Sequence, residues 1–393
     1  MLTRTFCCLL SIVGVSVGAL TVDSGSGAAV QSVTAPSWDN LWWDNTWVHR
    51  ARVYIDNHEN CDVLYDFPIP VHVPYRDSMQ PNFDDIRFTD LNGNPLQYWI
   101  EEFKPSIYAG VWVRVPEIPA ALNIYIYYGN PCASSESEAA GYAEICEPFS
   151  DDPTRSGGWS VYRHAGEGTL EGCWDPSDEV LYLTHSECHL GSALFTDIDM
   201  NRLDDWVLTF DYLAGGGTGA EGFCTMIYKD EAPYADGSPS CGGGLGFTTA
   251  EGNPILGYGV EFDAHSDGGD TPLGHVALIV NSTDKHVTSV RDDRVCDGSW
   301  HNARLVFLRG KLSVYLDSDF LFDFMFNSPS GDGNQSGLGF CAATGDLTND
   351  HVIDDVLLRK WTNPMPKSMV GDEEGDEGTI VETTFGQVKA QFQ

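Results

Sequence analysis

The sequence predicts an all-β protein built as two sandwiches in series, a small one followed by a larger jelly roll. Three observations carry that prediction. Short runs rich in β-branched and aromatic residues recur along most of the chain, separated by Gly, Pro and Asn turn signals. No long segment repeats its apolar residues at the helical period of about 3.6. An acidic, irregular stretch at residues 136–155 divides the β-rich sequence in two, and 393 residues exceed what a single core usually serves.

Taken in order, residues 1–19 combine a basic start ("MLTR"), a short apolar run and small residues at Gly18 and Ala19, the pattern of a cleaved secretory signal. The expected location is therefore secreted, extracellular or at the cell surface. No later run approaches the roughly 18 apolar residues of a membrane span, so none is expected in the mature chain. Residues 20–45 read as a flexible leader. The run "WDNLWWDNTW" at 38–47 reads either as tryptophans packed at the edge of the first core or as a sugar-stacking or partner surface. Residues 46–135 hold "RARVYI", "FPIPVHVPY", "IRFTD", "LQYWIEEF", "AGVWVRV" and "LNIYIYYG", the cadence of a compact sandwich. Its paired acids, Asp84 with Asp85 and Glu101 with Glu102, point to opposite strand faces and so do not form catalytic pairs. After the linker at 136–155, residues 156–362 supply the second β-rich block, whose 200 or so residues without a helix favour a two-sheet jelly roll. Residues 363–393 read as a mobile acidic tail.

Lys and Arg number 21 against 58 Asp and Glu, a formal charge of −37. That excess argues against nucleic acid as a partner. Of eleven cysteines, Cys7 and Cys8 fall in the expected signal segment; the other nine are widely spaced with no C-x-x-C pair, which disfavours zinc ribbons and suits disulfides in an exported chain. Local pairs consistent with the spacing are Cys132 with Cys146, Cys173 with Cys188 and Cys224 with Cys241. Connectivity stays open at this level.

The densest chemistry lies in "GVEFDAHSDGGDTPLGHVALI", residues 259–279. As a strand, Val260, Phe262 and Ala264 face one way while Glu261, Asp263 and His265 face the other. Asp267 and Asp270 follow in a Gly-rich turn, and His275 opens the next strand. Hard oxygen ligands suit Ca2+, and carboxylates mixed with imidazole suit Mn2+ or another transition metal. The bland alternative is a solvated acidic turn.

Two resemblances extend this reading. "DDIRFTDLNGNPLQYWIEE", "GVWVRVPEIP" and "IYIYYGNPCASSES" resemble a domain of unknown function common in archaeal and bacterial exported proteins, over about residues 46–135; it implies a β-sandwich and no known activity. The passage "VEFDAHSDGGDTPLGHVALIVNS" resembles the metal loop of legume-type (L-type), concanavalin A-like lectins, with "GAEGFCTMIY", "CGGGLGF" and "GFCAATGDLTNDHVIDDVLL" as further landmarks in the same order. The resemblance implies a transition metal on Glu261, Asp263, Asp270 and His275, and calcium on Asp263, the main-chain carbonyl of His265, Asp267 and Asp270. It further implies sugar binding by Glu221, the Gly243 main-chain N–H, His265 and Asp267. Three departures qualify it. Glu221 replaces the family's Asp, Asp267 replaces an amide-donating Asn, and His265 stands at an aromatic position. The expected function is thus a calcium-dependent carbohydrate-binding protein in surface adhesion or glycan recognition, with glycans or polysaccharide and other cell-surface proteins as partners. A structural or adhesive scaffold without sugar binding is the alternative. A glycoside hydrolase is disfavoured because Glu261 and Asp263 are not followed by the second Glu of strand-borne catalytic pairs.

Overall fold

The computed structural model describes residues 42–374 apart from position 61 and segments 156–157, 164–173, 197, 230–232, 235–236, 266–273, 285 and 328–334. The expected signal segment, the expected leader up to residue 41 and residues 375–393 lie outside the described residues. Within them the fold is all-β, with short 3-10 turns and no α-helix, and no helix long and apolar enough to cross a membrane.

The small sandwich packs a five-stranded sheet against a three-stranded one. The first runs in the spatial order Lys367–Glu374, His49–Asp56, Ala121–Tyr128, Arg87–Thr89 and Pro95–Leu96, the second Leu64–Pro74, Tyr108–Ile118 and Tyr98–Lys104. Strand Tyr108–Ile118 shows why: Ala109, Val111, Val113 and Val115 are buried at alternate positions, and they meet Val53, Ile69 and Ile126 in one core. One acid of this sandwich, Asp85, is structural. Asp85 is fully buried and accepts the main-chain N–H groups of Gln80 and Gly129 at 2.9 and 2.8 Å.

Three features differ from the sequence reading. Residues Lys367–Glu374, expected in the mobile acidic tail, form an edge strand antiparallel to His49–Asp56. The acids that made the segment look solvated have partners: Glu374 receives Arg50 Nε at 2.9 Å and Arg52 Nε at 2.6 Å. The small sandwich is therefore discontinuous, closed by chain that returns after the large one. Trp42 and Trp43, expected in the leader, pack on Tyr127 beside Trp47, whose indole donates to the Asp85 carbonyl. Trp42, Trp43 and Trp47 of the run are thus packed aromatic structure, and Trp38 lies outside the described residues. Finally, Ile145–Glu147, expected in the linker, pairs with strand Asp350–Lys360 of the large sandwich.

The large sandwich stacks an eight-stranded sheet on a seven-stranded one. The former is centred on Asp350–Lys360, Trp206–Gly215 and Trp300–Leu308; the latter runs His286–Arg291, His275–Val280, Gly257–Asp263, Gly222–Tyr228, Gly337–Ala343, Gly191–Thr196 and Ser160–Arg163. Phe210 is fully buried between the sheets, 5.0 Å from Phe340 in edge contact and 6.0 Å from Phe262. The two sandwiches meet where Arg359 lies between Trp112, Tyr142 and Trp361, at 5.0, 5.2 and 4.7 Å from the ring centroids.

The described cysteines are free thiols, so the expected pairs Cys132–Cys146 and Cys224–Cys241 are not formed. Cys224 is instead fully buried opposite Cys341 on the neighbouring strand, whereas Cys241 sits in the Gly-rich turn. Cys61 and Cys173, the latter the expected partner of Cys188, lie outside the described residues.

Candidate functional site

Strand Gly257–Asp263 lies between Gly222–Tyr228 and His275–Val280 in the seven-stranded sheet. Its alternation is the one the sequence dictates. Val260 and Phe262 enter the core, where Phe262 stacks on Phe223 at 4.7 Å, and Glu261 and Asp263 take the opposite face. Antiparallel pairing sets Glu261 across from Ala277 and Asp263 across from His275, so the next strand delivers its histidine to the acidic face. On the other side Gly222 pairs with Asp263, and a Cβ there would lie 2.8 Å from the Asp263 Cα. Only a residue without a side chain leaves that approach open.

The acidic face holds a buried cluster. Glu261 is 1% exposed and His275 is fully buried, with His275 Nε2 at 3.3 Å from Glu261 Oε1. His286 closes on the same oxygen, Nε2 at 2.6 Å, and the two imidazole rings stand 4.8 Å apart. One ligand atom from each of the three residues falls within a 4.8 Å span, a donor set that could hold a metal ion. Burial pulls the His275 imidazole down, but the Glu261 hydrogen bond and the charges of Asp263 and Glu261 together outweigh it, so its net shift is upward. Asp263, also buried, accepts the His265 main-chain N–H at 2.8 Å. His265 is half-buried at the rim. Asp267 and Asp270 lie outside the described residues.

Of the residues expected to contact sugar, Glu221, Gly243 and His265 lie at the same end of the sheet. The Ala264 main-chain N–H donates to the Glu221 carbonyl at 2.8 Å, tying Glu221 to the end of strand Gly257–Asp263. The Gly-rich 3-10 turn Gly242–Gly244 docks through the Gly242 N–H on the Thr344 carbonyl at 3.0 Å. Gly345 joins the two: a Cβ at that position would come closer than 3.0 Å to Glu221 Oε1 and stand 3.6 Å from the Gly242 Cα. The Glu221 carboxylate, an exposed Gly243, and the Ala264–His265 segment therefore share one rim with the loop at Thr344–Asp346.

The structure thus brings together Glu221, Gly243, Glu261, Asp263, His265 and His275. It adds two contributors that the sequence reading did not name. Gly345 carries no periodic signal, although "AATGD" marked a closing loop. His286 stands only eleven positions after His275, but a regular strand would turn it to the core side. Two grooves lie elsewhere. One, of about 370 Å3, runs between the sandwiches beside Tyr65, Arg309 and Lys360. The other, of about 420 Å3, lies on the outer face of the eight-stranded sheet, where burial and the neighbouring Asp355, Asp211 and Glu179 push the Asp354 carboxyl up to about 6.

Residues 82–162 match DUF2341, a domain of unknown function, a span displaced toward the linker from the 46–135 read in the sequence. No curated protein matches the chain. Among solved structures, the Lotus tetragonolobus seed lectin is 16% identical, covering 58% of this chain and 100% of its own at a TM-score of 0.43. Peanut lectin with a 9mer peptide is 18% identical, covering 51% and 98% at 0.39. The Ca2+/Man-bound exoplasmic/lumenal domain of VIP36 is 14% identical, covering 55% and 90% at 0.41. The chain thus joins a segment matching DUF2341 to a sandwich that is similar, over about half of the whole chain, to L-type lectins.

Proposed function

We propose that this protein is a secreted, calcium-dependent carbohydrate-binding protein acting in surface adhesion or glycan recognition. One observation carries the reading: the Glu221 carboxylate and the Gly242–Gly244 turn converge at Gly345, on the rim that leads from Asp263 into the metal loop. Such a rim offers complementary partners to adjacent sugar hydroxyls. Glu221 accepts, the Gly243 main-chain N–H donates, and His265 offers a ring face or nitrogen. Glu221 is only 8% exposed, so its geometry is held before ligand arrives and little ordering remains to be lost on binding.

The metals of this reading are structural. Glu261 and His275 fit a transition ion, since their ligand atoms are buried side by side on a rigid sheet. Such an ion, held by Glu261 and His275, would supply positive charge beside the Asp263 carboxylate. Calcium would be held by Asp263 with the segment that follows it. The second reading, a scaffold without sugar binding, is favoured by the extra methylene of Glu221 and by Asp267, which accepts where an amide would donate.

The experiment is a glycan array probed with the full chain in calcium, after exhaustive chelation, and as Glu221→Ala. Binding that disappears with chelator, returns with calcium and is absent in the variant is the expected result. A blank array with correctly folded, calcium-loaded protein overturns the lectin reading and leaves the scaffold. Binding indifferent to chelation overturns the metal dependence.

A further inference from the structure

We propose that His286 is a direct ligand of the ion held by Glu261 and His275, making a Glu-His-His centre that selects zinc-like ions over manganese and calcium. The inference rests on the reading that Glu261 and His275 hold a transition ion. It adds a third ligand that neither the sequence pattern nor the resemblance supplied.

The ladder explains how His286 arrives. Strands His275–Val280 and His286–Arg291 pair regularly through His275 with Arg291, Ala277 with Ser289 and Leu278 with Thr288. Ile279 should then face Val287. It faces His286 instead, and the register shifts by one residue between Leu278 and Ile279. Side chains alternate with period two, so regular pairing would put His286 on the core side with Thr288 and Val290. The bulge absorbs Val287, which is 41% exposed, and turns His286 onto the face of Glu261. A one-residue irregularity that re-aims a single side chain onto a buried carboxylate is the use to which bulges beside functional sites are put.

Geometry and chemistry agree. Ligands about 2.0–2.2 Å from a tetrahedral zinc stand about 3.3 Å from one another. Glu261 Oε1 to His275 Nε2 is already 3.3 Å, and Glu261 Oε1 to His286 Nε2, at 2.6 Å, needs to open by about 0.7 Å to reach that spacing. His286 has the freedom to do so, because its side chain is 13% exposed at the sheet margin while its two partners are sealed in. Two imidazoles and one carboxylate favour zinc, cobalt or nickel, whereas manganese and calcium prefer oxygen-rich sets.

The test uses the full chain stripped of metal and titrated with Zn2+ and with Mn2+ alone. X-ray absorption fine structure of the zinc-loaded wild type is expected to count two imidazoles, and calorimetry to give zinc an affinity at least about 100-fold above manganese. His286→Ala should retain one imidazole and bind zinc at least about 100-fold more weakly, since even outer-shell partners typically contribute 10–100-fold. His286→Gln, which keeps the side-chain volume, checks that the loss is one of ligation. A single imidazole in the wild type, or undiminished zinc affinity in both variants, overturns the assignment, and the wild-type measurement stands even where a variant fails to fold. Two imidazoles with a blank glycan array would sustain this centre and defeat the lectin reading; calcium-dependent glycan binding with one imidazole would do the reverse.

Discussion

Replacing Gly345 with Ala tests the proposed sugar rim without removing any polar group. The added Cβ would lie closer than 3.0 Å to Glu221 Oε1, whereas an ordinary contact needs 3.4 Å or more, so the carboxylate has to retreat by at least about 0.4 Å. The main chain of Gly242 is not in the way, at 3.6 Å, and the strained partner is the far end of a flexible side chain. The fold should therefore tolerate the change, with a stability loss of about 1 kcal/mol at most. Binding should not. Charge-assisted hydrogen bonds span a narrow range of distance, and losing one from a carboxylate costs about 1.5–3 kcal/mol, which is about 10- to 140-fold in affinity. Calorimetry with the tightest glycan from the array, beside urea unfolding of the same variant, separates the two effects. Unchanged affinity in folded Gly345→Ala would refute the placement of Glu221 in the binding rim.

Two further outcomes concern the scaffold. Burial pushes the fully enclosed His351 imidazole down to about 3, where its Nδ1 shares a 2.7 Å hydrogen bond with the Thr184 hydroxyl and Nε2 has no partner. Because the folded state holds this ring neutral and the unfolded chain protonates near 6.5, its contribution is complete above about pH 6.5 and is lost at about 1.4 kcal/mol per unit as pH falls toward 3. Urea unfolding at pH 5 and pH 7.5 should show a drop of about 2 kcal/mol from this residue that His351→Leu lacks; parallel pH profiles would refute it. Arg359→Ala removes a desolvated guanidinium from between Trp112, Tyr142 and Trp361, and should cost about 2 kcal/mol. Protease cleavage within residues 136–155 should accelerate in that variant, and an unchanged cleavage rate would show that the stack does not join the sandwiches.

Much of this protein is determined by local pattern. Period two in "VEFD" puts Val260 and Phe262 in the core and Glu261 and Asp263 on the opposite face, because backbone pleating fixes side-chain direction before any partner strand arrives. The same reasoning, applied along the chain, specifies strands and excludes helices. The order of motifs points to the rim that Glu221 and the Gly-rich turn form.

Tertiary structure decided what depends on pairing. The acids at 371–374 look like a solvated tail until Arg50 and Arg52 are brought beside Glu374, and no local pattern reports a partner more than 300 positions away. Cys224 belongs opposite Cys341 because strand order, rather than proximity in sequence, decides neighbours across a sheet. Gly345 matters through what its missing side chain leaves room for. His286 reaches Glu261 only by way of a bulge, and a bulge follows from the register of two strands, which neither strand carries in its own alternation.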